Sequence, residues 1–165
     1  MKIEKISIIV PCFNGGLFLE DSIKSIIKQT FNNFKLYLIN NGSTDNSLKI
    51  MRFFERKDNR IIVINHRKKT SKGRSINKIL RKIPEKYVCL MDADDIMLKS
   101  KLLLQIKYLQ KNKVFLLSLK RSMIETENED EKVDSICKFE FVDNVKSKKI
   151  EQDNPEQKLK LIAME

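Results

Sequence analysis

The sequence predicts an α/β domain built on a mostly parallel central sheet. Short apolar runs of strand length recur along the first two thirds of the chain, separated by helical apolar stripes of 10 to 15 residues. The runs are apolar throughout rather than alternating, as strands covered on both faces should be. Each of the first four runs gives way to a polar loop, and in a parallel sheet such loops share the carboxyl edge, where ligands bind.

The elements follow in order. Residues 6–10 (ISIIV) form a first strand, stopped by Pro11 and a turn cluster, FNGG. Leu19, Ile23, Ile26 and Ile27 lie at i, i+4, i+7 and i+8, a helical stripe. Residues 35–39 (KLYLI) form the second strand and run into NNGSTDNS, where Ser43 or Thr44 is suited to cap a helix carrying Leu48, Met51 and Phe54. Residues 60–64 form the third strand. The basic stretch NHRKKTSKGR follows, with Gly73 placed for a sharp turn and Arg74 at the start of a helix bearing Ile76, Ile79, Leu80 and Ile83. Residues 87–91 (YVCLM) form the fourth strand, leading into DADD. Ser100 then precedes a helix with Leu102, Leu103, Ile106 and Leu109, and residues 114–119 (VFLLSL) supply a fifth strand. Beyond Leu119 the pattern fades. Residues 125–131 are an acidic run suited to a solvated loop, and VKSKKIEQDNPEQK is polar and basic, with partial disorder expected. The organisation expected is a folded half over residues 1–119 and a separate C-terminal segment over 120–165.

Composition narrows the functional classes. The chain has 165 residues, enough for one domain with a core, and 41% are apolar, which excludes a disordered chain. Lys plus Arg number 33 against 22 Asp plus Glu, a net charge of +11 that favours anionic partners such as nucleotides, nucleic acid or an acidic membrane surface. A lysine-rich coding bias would give the same excess. Cys12, Cys89 and Cys137 stand far apart with no CxxC, which argues against a thiolate zinc site; Cys12 and Cys89 sit in or beside apolar runs, as buried reduced thiols do. No segment has the ~18 apolar residues of a membrane span, and the N-terminus reads as a strand rather than a signal peptide. A cytoplasmic location is expected.

The loops carry the chemistry. In DADD, Asp92, Asp94 and Asp95 crowd three carboxylates into four positions, where like charges raise one another's pKa unless a cation intervenes. A hard divalent cation, Mg²⁺ or Mn²⁺, takes one or two carboxylates plus phosphate oxygens and would clamp a diphosphate there; an exposed acidic turn before a helix is the plain alternative. The basic loop offers Arg67, Lys68, Lys69, Lys72 and Arg74 at the same edge, with the helix start favouring phosphate. Asn40 and Asn41 carry donor and acceptor together and can read a base edge, although Asn-Gly is also ordinary turn chemistry. Pro11, Cys12, Phe13 and Asn14 could hold a base, through backbone groups and the face of Phe13; a core role for Phe13 explains it equally well. His66, the lone histidine, reads as a surface or packing residue rather than a catalyst.

Residues 7–47 and the stretch YVCLMDADDIMLKSKLLLQ together resemble family 2 glycosyltransferases, enzymes of the GT-A fold that use nucleotide-sugar donors. The shared pattern is a strand, P-x-F-N, a helix ending Q-T-F, a strand running into N-N-G-S-T-D, and a D-x-D segment after the fourth strand. The resemblance implies a Rossmann-like three-layer sandwich and places Pro11, Phe13, Asn14, Asn41, Arg74, Asp92 and Ala93 around the nucleotide. It makes Asp94, supported by Asp92, the ligand of Mn²⁺ or Mg²⁺. The implied partner is a nucleotide-sugar donor, UDP-sugar favoured. NNGSTD has asparagines where the family carries leading aspartates, which bears on donor choice. No catalytic base is identified: Glu129-Asp130 is an E-D pair but comes too early and in a charged run. The acceptor is open among glycan, protein and tRNA; DADDIML also resembles family members that glycosylate queuosine in tRNA.

Three other readings stand beside this one. A nucleotide-sugar-binding remnant, catalytically inactive, would explain the missing base. A phosphotransferase of the haloacid-dehalogenase type would use Asp92 as nucleophile, but its motif normally follows the first strand. A dinucleotide enzyme is disfavoured because no GxGxxG follows the first strand.

Overall fold

The computed structural model describes residues 5–112 and 160–162. They form β1 (Ile6–Cys12), α1 (Leu19–Ile27), β2 (Phe34–Asn40), α2 (Ser47–Lys57), β3 (Ile61–Asn65), α3 (Lys72–Leu80), β4 (Tyr87–Leu90), α4 (Lys101–Asn112) and β5 (Lys160–Ile162). The sheet order is β3-β2-β1-β4-β5 and every pairing is parallel. The fifth strand expected at 114–119 lies outside the described residues; the place beside β4 belongs to Lys160–Ile162.

The order has a mechanical cause. Connections through α1 and α2 step outward from β1, and the connection through α3 steps back across β1 to β4. Right-handed crossovers then put α3 on the opposite face from α1 and α2. Two cores match this. Ile6, Ile8, Val10, Leu36 and Leu38 pack with Leu19, Ile23, Ile26, Met51 and the α4 residues Leu102, Ile106 and Leu109. Ile9, Ile39 and Val88 pack with Ile76 and Ile79 of α3. The strands are therefore covered on both sides, as their unbroken apolar character requires.

Strand β1 runs past the Pro11 stop expected from the sequence. Asn41 N–H donates to Cys12 O at 2.8 Å and Met91 N–H donates to Ile9 O at 3.1 Å, so even residues of β1 bond to β2 and odd residues to β4. The N–H that Pro11 lacks would have faced β4. Pro11 leaves the β1–β2 ladder intact, with Pro11 opposite Ile39 and Cys12 opposite Asn40, whereas β1–β4 pairing ends at Ile9 and Leu90. The two strands part at their carboxyl ends, at the point where the connection order reverses. That is the position of the ligand crevice in open α/β sheets.

The segment after the acidic turn is tied to α1 through a buried side chain. Gln29 Nε2 donates to Leu98 O at 2.7 Å and Met97 O at 3.3 Å, and its Oε1 accepts from Leu102 N–H at 3.2 Å. Met97 N–H donates to Ser25 Oγ at 2.9 Å, and Thr30 N–H donates to Lys99 O at 3.0 Å. The end of α1 thus holds the entry to α4 with otherwise orphaned backbone groups satisfied.

Candidate functional site

Four loops meet at the carboxyl edge, and hydrogen bonds fix the first two against each other. Asn14 adopts a left-handed φ of 54°. Its N–H donates to Ser43 Oγ at 3.0 Å, and its Oδ1 accepts from Thr44 N–H at 2.8 Å. Gly15 N–H donates to Ser47 Oγ at 3.0 Å and Gly16 N–H to Asp45 at 2.9 Å. Ser43 and Thr44 therefore do not cap α2, contrary to the sequence expectation; they hold Asn14, and Asp45 Oδ1 accepts from Ser47 N–H at 3.0 Å instead. Burial works against the Asp45 charge, but hydrogen bonds from Ser47 and Gly16 outweigh it and hold the carboxyl below its usual range.

The third loop, the basic one, is seated on the second. His66 N–H donates to Asn40 O at 2.9 Å and Thr70 N–H to Asn41 O at 3.1 Å. Between them Gly42, at φ 85°, packs so closely that a Cβ there would stand 2.6 Å from the backbone of Lys68 and Lys69. Asn40 braces the edge from below, donating to Asn65 Oδ1 at 2.7 Å and accepting from Ser43 N–H at 3.0 Å. Asn41 is 3% exposed, and its Oδ1 is buried without a hydrogen-bond partner, as is His66 Nε2. Phe13 is 42% exposed, so it is not a core residue, and the Lys69 ammonium lies 4.6 Å from its ring centroid.

Lys72 opens α3, with Ser71 at the N-cap. The sharp turn expected at Gly73 is absent: Gly73 sits within the first turn of α3 and the strained glycine is Gly42. Arg74 and Asn77 stand exposed on the same helix. From α3 the Lys72 ammonium reaches Asp92 Oδ1 at 2.5 Å.

The acidic turn completes the edge. Asp92 is half-buried, Ala93 buried and Asp94 exposed. A Cβ on Gly15 would lie 2.8 Å from Cys12 Sγ and 3.5 Å from Ala93 Cβ, so the β1 turn rests against the β4 turn. Asp95 N–H donates to Asp92 O at 3.3 Å. The structure thus brings Pro11, Phe13, Asn14, Asn41, Asp92 and Ala93 to one edge. Sequence reasoning did not find Gln29 or Gly42 as organisers; the only trace of Gln29 was its place in the Q-T-F stretch, just past the end of the α1 stripe.

No cluster of three or more His, Cys, Asp or Glu side chains suited to a metal occurs among the described residues. Asp92 and Asp94 fit the sparser set that Mg²⁺ or Mn²⁺ uses when phosphate oxygens complete the shell. The Lys72 ammonium shows that the Asp92 carboxylate is open to a cation at this edge. Cysteine is no part of this chemistry: burial pushes the Cys12 thiol up and Cys89 up to about 11, leaving both protonated.

A parallel sheet whose switch-point crevice is flanked by an acidic turn and a basic loop is the arrangement in which open α/β proteins place their ligand crevice. Comparison with known proteins gives the family. Residues 7–159 match Glycosyl transferase family 2, and the chain belongs to that family. Glycosyltransferase GlyG of Streptococcus pneumoniae is 36% identical over 93 residues, covering 56% of this chain and 31% of GlyG. TarS 1-349 of S. aureus in complex with UDP superposes with a TM-score of 0.67 at 23% identity, covering 76% of this chain and 38% of that one. The mannosyltransferase PcManGT of Pyrobaculum calidifontis, in complex with GDP-Man and Mn2+, gives 0.65 at 20% identity, covering 72% and 36%. The fold is GT-A. The chain spans about a third of the length of GlyG and under two fifths of either solved chain. No helix among the described residues is long and apolar enough to cross a membrane.

Proposed function

We propose that residues 1–119 form the donor-binding half of a glycosyltransferase that moves a sugar from a nucleotide-diphosphate donor, UDP-sugar favoured, to an acceptor hydroxyl with divalent metal assistance. The observation that carries this reading is the meeting of acidic turn and basic loop, through Lys72 and Asp92, beside the crevice that Pro11 opens. Family membership supports it, and so do the UDP and UDP-GlcNAc complexes of TarS and the GDP-Man and Mn2+ complex of PcManGT.

In this reading Pro11, Phe13, Asn14 and Asn41 border the base. The exposed face of Phe13 stacks on it, and Asn41, whose Oδ1 is buried and unpartnered, turns toward the base to accept from an imide N–H. Asp92 and Ala93 lie by the ribose. Lys72 and Arg74 counter the diphosphate charge at the start of α3. Asp94, with Asp92, holds Mg²⁺ or Mn²⁺, which when bound supplies the positive charge that stabilises the leaving diphosphate. Inversion is the family expectation. The acceptor, whether glycan, protein or tRNA, and the base that activates it are not assigned to any residue. The buried thiols of Cys12 and Cys89, neither in a disulfide, fit a reducing compartment, which supports a cytoplasmic location.

The test is thermal denaturation with nucleotides. UDP is expected to raise the melting temperature only with Mn²⁺ or Mg²⁺ present, and Asp94→Ala to abolish the shift. Stabilisation that ignores both metal and Asp94 would overturn the metal clamp. A second reading is a catalytically inactive, donor-binding chain. Hydrolysis or transfer of a nucleotide sugar above a metal-only blank would rule it out.

A further inference from the structure

Lys72 is an odd residue to find where it is. It is the first residue of α3, whose first turn contains no acidic side chain. The free N–H groups of a helix start favour an anion and disfavour a cation. The backbone there is well fixed: Ser75 N–H donates to Ser71 O at 3.1 Å and Ser75 Oγ to Lys72 O at 2.9 Å. The ammonium escapes the helix start by reaching across to Asp92 Oδ1. Both side chains stay half-exposed, at 58% and 50%, so the pair is one that solvent and ions can reach. Beside it Gly73 has no atom within 4 Å of where a Cβ would stand, which leaves the helix start open.

We propose that Lys72 is the resident counter-ion of Asp92, that a divalent metal must displace it, and that the released ammonium then meets the donor's diphosphate at the start of α3. The inference rests on the metal reading given under Proposed function. Lys72 already neutralises the carboxylate through Oδ1, and a metal drawn to either oxygen would stand within a few ångströms of the ammonium, where the two cations repel one another. Metal and Lys72 therefore compete for Asp92. Once displaced, the ammonium lies at a helix start whose N–H groups attract the same phosphate oxygens. Metal and diphosphate then bind cooperatively: the metal frees the lysine, and the diphosphate gives it a partner. Lys72 is in this view a positioning residue with two alternating partners, weakening metal alone and strengthening metal with nucleotide.

The experiment measures free Mn²⁺ by electron paramagnetic resonance in titrations of the full chain, with and without UDP. Lys72→Met is expected to bind Mn²⁺ alone about two- to five-fold more tightly than wild type, the scale of an exposed ion pair. The same variant is expected to bind UDP at saturating Mn²⁺ at least about five-fold more weakly, for loss of a charge-assisted contact. Lys72→Arg, which keeps the charge, should stay near wild type in both. Lys78→Met removes an equal charge further along α3 and should leave Mn²⁺ affinity unchanged. Lys72→Gln repeats the measurement should the methionine variant fold poorly. Unchanged or weaker Mn²⁺ binding in Lys72→Met and Lys72→Gln overturns the exchange, as does an equal gain in Lys78→Met. If wild type binds Mn²⁺ in an Asp94-dependent way and the lysine variants do not differ from it, only this inference fails. If wild type binds no Mn²⁺ with or without UDP, the metal reading fails and the exchange with it.

Discussion

Gly42 and Asp58 show what single residues contribute here. At Gly42 the backbone is left-handed and the main chain of Lys68 and Lys69 occupies the place of a side chain. Gly42→Ala is expected to cost about 1–3 kcal/mol, from the left-handed conformation and the clash together, read as a lower urea midpoint. Because the basic loop rests on Gly42, the same variant should lose UDP affinity. Asp58 shows the other kind of contribution. Hydrogen bonds from Arg60, the closest at 2.6 Å, hold its carboxyl below the usual carboxylate range despite partial burial. A depressed carboxylate stabilises the fold fully above its unfolded value of about 3.9, and that stability is lost as pH falls through the folded value. Asp58→Asn should therefore cost about 1–2 kcal/mol near neutrality, with the difference from wild type vanishing at acid pH in thermal denaturation. The acidic and basic residues of the site were legible in the sequence, because charged residues behind an apolar run have nowhere to go but the loop. Which glycine takes the positive φ was not. Gly73 and Gly42 both sit in polar stretches, and only the loop packed on Gly42 distinguishes them.

At the scale of elements, the helical stripes and apolar runs placed, in order, β1 to α4, eight of the nine elements among the described residues. Their ends were less legible. Ser43 and Thr44 looked like caps, since hydroxyls before an apolar stripe usually are, but across the loop Asn14 competes for them. Pro11 looked like a strand stop, and in the parallel ladder it interrupts one side only. Gln29 is an element-scale device: one amide bonds the exit of α1 to the entry of α4, next to the acidic turn. Gln29→Ala would leave the Leu98 carbonyl and Leu102 N–H without that partner, and should cost about 2–4 kcal/mol by chemical denaturation. Gln29→Glu should recover little of it, because a carboxylate can accept from Leu102 but cannot donate to Met97 and Leu98.

At the scale of the whole molecule, the net charge of +11 makes anion binding sensitive to salt. If the acceptor is RNA, its affinity should fall steeply on a log–log plot against salt concentration; a flat plot would exclude phosphate contacts as the driver. The sequence by itself determined that the chain is a parallel α/β domain with polar loops at one edge. Those properties follow from local periodicity and from chain order, which each segment carries within itself. Only the tertiary structure decided that β4 lies against β1, that Lys160–Ile162 takes the edge place beside it, that Gly42 seats the basic loop and that Lys72 meets Asp92. Each is a contact between segments far apart in the chain. Their partners are chosen by packing and charge in three dimensions, and no single stretch of sequence holds both halves of the choice.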